Sequence, residues 1–409
     1  MSTEAVNTLQ GAVALDGLPA VEDVRFNVAI GDRRVAVAIQ GRELQFAEAT
    51  GAAEFEYVIG ADDWGRFTAE PPPRGYTTAQ AMRAAIGWQI IEGDRVRWAQ
   101  YAPLIDRIVE ALRVAETPRP ARNADPAVKL GRSQIQGGYV TVEVEGEPRR
   151  IYFESAGTGE TTLLCLHTAG ADSRQFRYLL EDEELSARYR VVAFDMPWHG
   201  RSDAPADWQQ QTYRLTTKAY AATILAVMEA LELDKPILMG CSMGGAIACY
   251  MASVHGEKFT ASFALEGGLG SPGRFVEWTN HIQVDHSQFL ASWVGGLIAP
   301  SSPTASRSQT LWGYAQSGPA VYQGDTYFYS EDFPEIGRNL KKATCPLWVF
   351  SGEYDYSATT EMSREAAERL GGTLVEMVRF GHFPMSEDPA VFRSYLMPVL
   401  AELEAQLSA

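Results

Sequence analysis

The first 115 residues carry a strand-like pattern followed by a helix-like one. Apolar residues occupy every second position from Val24 to Ile30, and the same period returns over 35–39 after the turn at Gly31-Asp32. A period of two is typical of strands with one buried face, so these runs predict a β-hairpin. Further strands are predicted near 44–46 and 55–59, and helices over 77–91 and 101–114. The pattern predicts a small α+β domain over residues 1–115.

The second part of the chain has a different pattern of apolar residues and predicted elements. Residues 116–138 are rich in Pro, Arg, Asp and Gly and have no apolar period, which is typical of a linker. From Tyr139 onward strands and helices alternate, which predicts a mostly parallel sheet with helices on both faces over 139–409. Eight strands are predicted, of which the first two form an antiparallel pair: 139–144, 149–154, 162–167, 190–195, 236–241, 260–266, 345–351 and 373–378.

Composition and charge narrow the classes of function. The 409 residues carry a net charge of -17, which disfavours nucleic acid and anionic membrane surfaces as partners. Apolar runs of eighteen residues are absent, and the start MSTEAVNTLQGAVALDG lacks the features of a signal peptide, so we expect a cytoplasmic protein without membrane insertion. The four cysteines show no CxxC spacing, which predicts buried thiols rather than a zinc site or disulfides.

A six-residue run, GCSMGG at 240–245, lies between a strand-like and a helix-like segment. A serine on a sharp strand-to-helix turn has a strained backbone, and Gly240 and Gly244 leave room because neither carries a Cβ. The run therefore matches the GxSxG nucleophile elbow, and Ser242 is the candidate nucleophile.

A serine hydroxyl needs a general base and a group that orients the base. His382, in RFGHFPMSEDP, is the only histidine after the seventh predicted strand. Asp355, in SGEYDYS, follows that strand, and catalytic groups gather at the carboxyl ends of parallel strands. Glu266, at the end of the preceding strand, is a rival for the acid. We favour Asp355, because the chain order Ser242, Asp355, His382 then follows the commoner arrangement.

Two backbone N–H groups are expected to form an oxyanion hole. The amide after the serine belongs to Met243. The second is expected from the loop CLHTAGADSRQF, where Ala169 is our choice and Thr168 the next candidate. For His167 we favour packing and hydrogen bonding over proton transfer, since one base suffices.

These motifs together resemble the α/β-hydrolase fold enzymes over about 139–409. LHTAG, FDMPWHGRSD, GCSMGG, and GEYD followed by GHFPMSEDP occur in the order of that family. The resemblance implies an eight-stranded sheet and a Ser-His-Asp triad, and SMGG also resembles the meta-cleavage-product hydrolases, which break carbon–carbon bonds. The chain departs from the pattern at Thr168, where many members have Gly.

The resemblance also implies a cap, inserted at about 267–340 where the strand and helix rhythm breaks. The insert is rich in aromatic residues, of which we expect a minority to touch substrate. Candidate pocket residues lie there and in the loops beside the elbow: Thr168, Arg174, Trp198, Trp278, Trp293, Trp312 and Tyr314.

The function expected from the sequence is serine hydrolysis of a small to medium hydrophobic ester or lactone, without metal or organic cofactor. Carbon–carbon, amide or carbamate hydrolysis on the same triad is an alternative, as is a ligand-binding protein with a residual triad. The first domain, through GYTTAQAMRAAIGWQIIEGD, resembles the sterol-carrier-protein-like domain, which encloses an apolar tunnel. We favour a dimerisation or lid-support module without a ligand, and so a possible homodimer.

Overall fold

The computed structural model describes residues 9–15, 22–48, 52–127 and 130–408. The chain divides into two compact units. Unit 1 comprises Met1–Arg122 and Trp278–Ser301, and unit 2 comprises Asn123–Glu277 and Ser302–Ala409. Residues 278–301, which belong to the predicted cap insert, thus group with the first part of the chain. The domain boundaries expected from the sequence stay predictions.

Unit 1 contains a five-stranded sheet in the order β3-β2-β1-β4-β5. The five strands are β1 Val24–Ile30, β2 Arg33–Gln40, β3 Glu43–Glu48, β4 Phe55–Ile59 and β5 Ile91–Gly93. The predicted hairpin is present, with β1 and β2 antiparallel and Val28 opposite Val35. The alternating apolar residues of β1 point into the core, which confirms the α+β class expected for this part of the chain.

The helices of unit 1 differ in their ends from the expected ones. Residues 9–12 are helical, and the other α-helices of unit 1 within the described ranges are α1 Ala61–Phe67, α2 Ala79–Ile86, α3 Arg95–Glu116 and α8 His286–Gly295. The helix expected over 77–91 ends at Ile86, because Gly87 has φ +100° and breaks the helical path. The helix expected over 101–114 begins at Arg95, because the Asp94 side chain accepts hydrogen bonds from the amides of Val96 and Arg97.

Helix α8 packs inside unit 1 through aromatic contacts. The Phe289 and Trp98 rings meet edge to face with centroids 6.3 Å apart. The buried Arg83 guanidinium lies 4.5 Å from the ring centre of Trp88 and 4.3 Å from that of Trp293. Such cation–π contacts are strongest when desolvated, so Arg83 joins α2 to α8.

Unit 2 contains an eight-stranded sheet in the order β13-β12-β11-β10-β8-β9-β7-β6, which confirms the expected mostly parallel sheet. Its strands are β6 Gln136–Val144, β7 Glu147–Ala156, β8 Thr161–Leu166, β9 Tyr189–Phe194, β10 Ile237–Cys241, β11 Ala261–Leu265, β12 Leu347–Gly352 and β13 Thr373–Met377. Strands β8 to β13 pair in parallel, and β6 and β7 form the antiparallel pair. Parallel pairing brings the carboxyl ends of β8, β10, β11 and β12 to one edge.

Ten α-helices of unit 2 lie within the described residues. They are α4 Arg177–Leu180, α5 Glu183–Arg188, α6 Thr217–Ala230, α7 Met243–Val254, α9 Thr304–Ala315, α10 Val321–Tyr327, α11 Phe333–Asn339, α12 Thr360–Leu370, α13 Pro384–Glu387 and α14 Pro389–Leu407. A π-helical turn, Phe328–Asp332, joins α10 to α11. None of the helices in the described ranges is long and apolar enough to cross a lipid bilayer.

Candidate active site

Ser242 lies on a strained turn between β10 and α7. Its backbone has φ +56° and ψ -111°, a conformation that is rare for a residue with a side chain. The turn is tight enough that a Cβ on Gly240 would lie 2.1 Å from the Gly244 carbonyl oxygen. On Gly244 a Cβ would lie 2.5 Å from the Leu166 carbonyl oxygen. Both glycines are therefore required sterically, and the turn has the geometry of a nucleophile elbow.

His382 and Asp355 form a buried pair at the same edge of the sheet. His382 Nδ1 lies 2.6 Å from Asp355 Oδ2, and Asp355 Oδ1 accepts a hydrogen bond from the Ser357 amide at 2.6 Å. Cys241 Sγ donates to the His382 carbonyl oxygen at 3.2 Å, which ties the histidine loop to β10. With Nδ1 donating to a carboxylate, Nε2 is the imidazole nitrogen that can accept a proton.

A small cavity lies at the elbow. Its lining is mostly small or apolar side chains: Ser242, Met243, Ala246, Glu266, Gly268, Gly270, Ser271, Tyr329, Ser357 and Ala358. Ser242 is partly exposed. The nucleophile candidate and the amide after it therefore border the same space.

Three consecutive amides of the loop after β8 have different partners. The Thr168 N–H donates to Gln175 Oε1 at 3.1 Å, and the Gly170 N–H donates to Asp325 Oδ2 at 2.7 Å. Between them, the Ala169 N–H has no acceptor among the described residues. The Met243 N–H is the first of α7 and likewise has no acceptor in the part of the chain that the structure describes. Ala169 rather than Thr168 thus has an amide available for a developing oxyanion.

Residues 161–389 match the sequence model of the alpha/beta hydrolase fold family. The match covers more than half of the chain. The protein belongs to the alpha/beta hydrolase fold family.

Individual relatives match parts of the chain. Over 209 residues it is 30% identical to Epoxide hydrolase 4 of Mus musculus, covering 51% of this chain and 55% of the relative. Over 140 residues it is 29% identical to a 2-hydroxy-6-oxononadienedioate/2-hydroxy-6-oxononatrienedioate hydrolase of Paraburkholderia phymatum, covering 34% of this chain and 47% of that one. The chain thus spans about half the length of these two relatives.

Solved structures show the same fold. A thermophilic esterase from Thermogutta terrifontis aligns with a TM-score of 0.56 at 18% identity, covering 65% of this chain and 99% of that chain. At this identity the similarity concerns the fold alone.

In this hydrolase-fold protein, Asp325 of α10 contacts the loop after β8, and this contact was not predicted from the sequence. Its buried carboxylate accepts from the Gly170 amide, and it lies 2.8 Å from His199 Nε2 and 2.9 Å from the Tyr213 hydroxyl oxygen. Burial lowers the pKa of His199, but Asp325, together with the Pro197 carbonyl oxygen and Asp195, raises it by more, so the pKa lies above the ordinary value. A lone acidic residue in the aromatic run VYQGDTYFY was the available signal.

The loop after β8 also contacts other cap residues. The buried hydroxyls of Thr168 and Tyr314 are hydrogen-bonded to each other. A Cβ on Gly170, which has φ +69°, would lie 2.7 Å from the Tyr322 ring. The loop after β8 is therefore held by residues of α9 and α10.

The other predicted pocket residues are dispersed. Arg174 Nε donates to Asp172 Oδ1 at 2.8 Å, and Trp198 packs against Tyr213 with ring centroids 5.2 Å apart. Trp278 and Trp293 pack with other aromatic residues of unit 1, and the side chain of Trp312 is 58% exposed. Their roles in substrate binding stay predictions.

His167 has both ring nitrogens engaged. Nδ1 donates to the Thr168 carbonyl oxygen at 2.9 Å, and Nε2 accepts from the Met196 amide at 3.0 Å. Burial and the neighbouring His199 lower the pKa of His167, which keeps the ring neutral. A neutral ring with two fixed partners shapes the loop and has no nitrogen free for proton transfer.

Two further buried carboxyls lie beside the His382–Asp355 pair. Glu266 Oε2 accepts from the Gly352 amide at 2.9 Å, and Glu387 accepts from the Gly381 amide. Burial raises the pKa of Glu387 to about 8. Burial, and then the charge of Asp355, raise the pKa of Glu266 well above its ordinary value. Among the described residues, no group of three or more His, Cys, Asp or Glu is arranged to hold a metal ion.

Proposed function

We propose that the protein is a serine hydrolase that cleaves a small to medium hydrophobic carboxylic ester or lactone through an acyl-enzyme. The observation that carries the proposal is the buried His382–Asp355 contact of 2.6 Å at the sheet edge where Ser242 occupies its strained turn. A nucleophile, a base and an orienting acid at one edge are the arrangement that acyl transfer needs.

In the proposed reaction, Ser242 Oγ attacks the substrate carbonyl while His382 Nε2 takes the hydroxyl proton. Asp355 stabilises the resulting imidazolium, and the amides of Met243 and Ala169 bind the oxyanion. His382 then protonates the leaving alcohol. Water, activated by the same imidazole, hydrolyses the acyl-enzyme and regenerates Ser242.

The nature of the nucleophile favours a carbonyl substrate over an epoxide. Attack of a serine hydroxyl on an epoxide would form an alkyl ether, which water does not cleave under these conditions. Attack on an ester or lactone forms an acyl-enzyme that water does cleave. The substrate proposed for this chain is therefore not an epoxide, although one relative is named as an epoxide hydrolase. The small size of the cavity and the apolar Met243, Ala246 and Ala358 in its lining support a hydrophobic acyl or alcohol group of modest size.

Carbon–carbon hydrolysis is the second candidate. The 29% identity with a 2-hydroxy-6-oxononadienedioate/2-hydroxy-6-oxononatrienedioate hydrolase over 140 residues favours it. In that reaction the leaving group is a carbanion equivalent, which needs protonation at carbon. A side-by-side assay of nitrophenyl esters, lactones and a vinylogous 1,5-diketo acid ranks the two candidates by kcat/KM.

The test of the proposal compares Ser242→Ala with Ser394→Ala, a matched serine on the exposed face of α14. We expect turnover of p-nitrophenyl butyrate by the wild type and Ser394→Ala, and none above background by Ser242→Ala. A fluorophosphonate probe should label Ser242 in the wild type and in Ser394→Ala. Ligand binding without turnover or labelling in the wild type would instead favour a binding protein with a residual triad.

The acid is tested separately. We expect Asp355→Asn to cost far more in kcat than Glu266→Gln, because His382 Nδ1 contacts Asp355. The reverse order would assign the acid to Glu266.

A further inference from the structure

Glu266 and Asp355 are neighbours where β11 and β12 end: Glu266 accepts a hydrogen bond from the Gly352 amide, three residues before Asp355, and after burial the charge of Asp355 and a hydrogen bond with it raise the pKa of Glu266. Glu266 follows β11 and Asp355 follows β12, and these strands pair in parallel, so both side chains start from the same edge. Glu266 Oε2 accepts from the Gly352 amide, whereas Oε1 is buried and receives no N–H or hydroxyl donor from any described residue. One oxygen of Glu266 is therefore free to carry a proton toward its neighbour.

The two carboxyls cannot both be ionised at such close range in a buried site. Asp355 accepts two N–H donors, from His382 and Ser357, and both stabilise its ionised form. Glu266 accepts one, from Gly352. The shared proton is thus more stable on Glu266, and Oε1 is the oxygen that holds it.

We propose that Glu266 is a positioning residue that stays protonated at neutral pH and donates a hydrogen bond from its Oε1 hydroxyl to the carboxylate of Asp355. The proposal rests on the proposed Ser242-His382-Asp355 chemistry for its effect on rate. A neutral donor fixes the rotation of the Asp355 carboxylate, which in turn holds the His382 ring. It does so without adding a second negative charge behind the imidazole.

The surroundings of Glu266 favour the protonated form. Asp355 and Glu387 both act on it with negative charge, and each raises the pKa of Glu266. The Gly352 N–H opposes them by stabilising the ionised form. The neighbouring Cys241 is no source of negative charge, because burial raises the pKa of its thiol.

The proposal predicts which substitutions are tolerated. The amide of Glu266→Gln reproduces the protonated acid: its oxygen can accept from Gly352 and its NH₂ can donate to Asp355. Glu266→Leu has similar volume but no donor. We expect Glu266→Leu to lower kcat by roughly 10²-fold with little change in KM, because the base is misplaced. Glu266→Gln should recover most of that loss, to within about threefold of wild type.

The pH profile gives a second readout. Ionisation of Glu266 at alkaline pH would turn a donor into a second carboxylate facing Asp355. The kcat of the wild type should therefore fall on the alkaline side, and Glu266→Gln should retain its kcat to higher pH. Glu387→Gln serves as the comparison, because it removes a charge that raises the pKa of Glu266 and keeps the Glu266 carboxyl, so the alkaline fall should remain and move to lower pH. A loss of activity in Glu266→Gln equal to that in Glu266→Leu would overturn the proposal, as would superimposable profiles of wild type and Glu266→Gln.

Infrared difference spectroscopy tests the proton directly and needs no turnover. The spectrum of Ser242→Ala minus that of Ser242→Ala/Glu266→Gln should contain the carbonyl stretch of a protonated carboxylic acid at pH 7, and that band should disappear at alkaline pH. Absence of the band at pH 7 would overturn the proposal whatever the enzyme hydrolyses. Presence of the band in a protein without esterase activity would refute the proposed function and leave the protonated Glu266 in place.

Discussion

The contact between Asp325 and the loop after β8 makes a sharp prediction for Asp325→Asn. The carboxylate accepts from the Gly170 amide and from His199 Nε2 through Oδ2, and from the Tyr213 hydroxyl through Oδ1. An asparagine keeps the shape but has only one accepting oxygen. In either orientation, its NH₂ group would face at least one of these donors.

The cost in stability can be worked from the geometry. At 2.8 Å the His199–Asp325 attraction is about 6 kcal/mol with an effective dielectric constant of about 20. Burial of both charges offsets much of this, and His199 can lose its proton in the variant, so we expect a net loss of about 2–4 kcal/mol.

The effect on catalysis follows from the neighbouring amide. Gly170 is adjacent to Ala169, whose N–H is a proposed oxyanion donor. Loss of a whole donor costs about 10²–10³-fold in kcat. Displacement of Ala169 should cost less, about 10–100-fold, with KM nearly unchanged because the donor acts mainly in the transition state.

The assay pairs Asp325→Asn with Asp332→Asn. Asp332 accepts from the amide and hydroxyl of Thr217 at 2.7 and 2.6 Å, so its substitution should lower stability without removing a contact of the loop after β8. We expect both variants to unfold at lower denaturant concentration and only Asp325→Asn to lose kcat. Equal kcat values in the two variants would refute the link between Asp325 and the oxyanion hole.

The same pair has a defined pH dependence. The pKa of His199 is raised in the folded protein, so its contribution to stability is complete below the unfolded value of about 6.5 and is lost as pH rises through the folded value. The stability difference between wild type and Asp325→Asn should therefore be larger at pH 6 than at pH 9. A difference that grows with pH would contradict the charged pair.

Three further substitutions test other contacts. Gly170→Ala should lower both kcat and the melting temperature, because its Cβ would lie 2.7 Å from the Tyr322 ring at φ +69°; unchanged values would contradict the close approach. Tyr314→Phe removes the partner of the Thr168 hydroxyl and should cost about 1 kcal/mol in denaturant unfolding, and no loss would show the contact to be neutral. Arg83→Met removes two cation–π contacts in unit 1 and should cost about 1–3 kcal/mol, measured by thermal unfolding; an increase in stability would contradict their role.

Structural features that depend on neighbouring residues in the chain could be predicted from the sequence. The hairpin at β1 and β2, the eight strands of unit 2 and the strained turn at Ser242 each depend on a short run of residues. The end of α2 at Ile86 also has a local cause, because Gly87 adopts φ +100°. It was not predicted, since the φ of a glycine within an apolar helical period cannot be read from the sequence.

Long-range contacts could not be predicted in this way. Gly170 and Asp325 are 155 residues apart, and no spacing rule joins a loop amide to a cap carboxylate at that separation. The packing of α8 with Arg83 and Trp98 in unit 1 is of the same kind. The aromatic residues of the insert showed that it has a core to fill, without showing which residues fill it.

The choice between Asp355 and Glu266 shows why an acid is harder to assign than a nucleophile. The elbow has a steric requirement, two glycines around one serine, and the sequence displays it. An acid requires only a carboxylate at the right edge, and paired strands such as β11 and β12 end about 5 Å apart, so either loop can reach the same histidine. The hydrogen bonds distinguish the two carboxylates: Asp355 accepts from His382 and Ser357, whereas Glu266 accepts from Gly352 and faces Asp355.

This division of roles predicts the rate of the double variant Asp355→Asn/Glu266→Gln. It should be no slower than Asp355→Asn alone, because without a carboxylate at 355 the proton on Glu266 has nothing to stabilise. A further large loss in the double variant would mean that Glu266 orients His382 by itself.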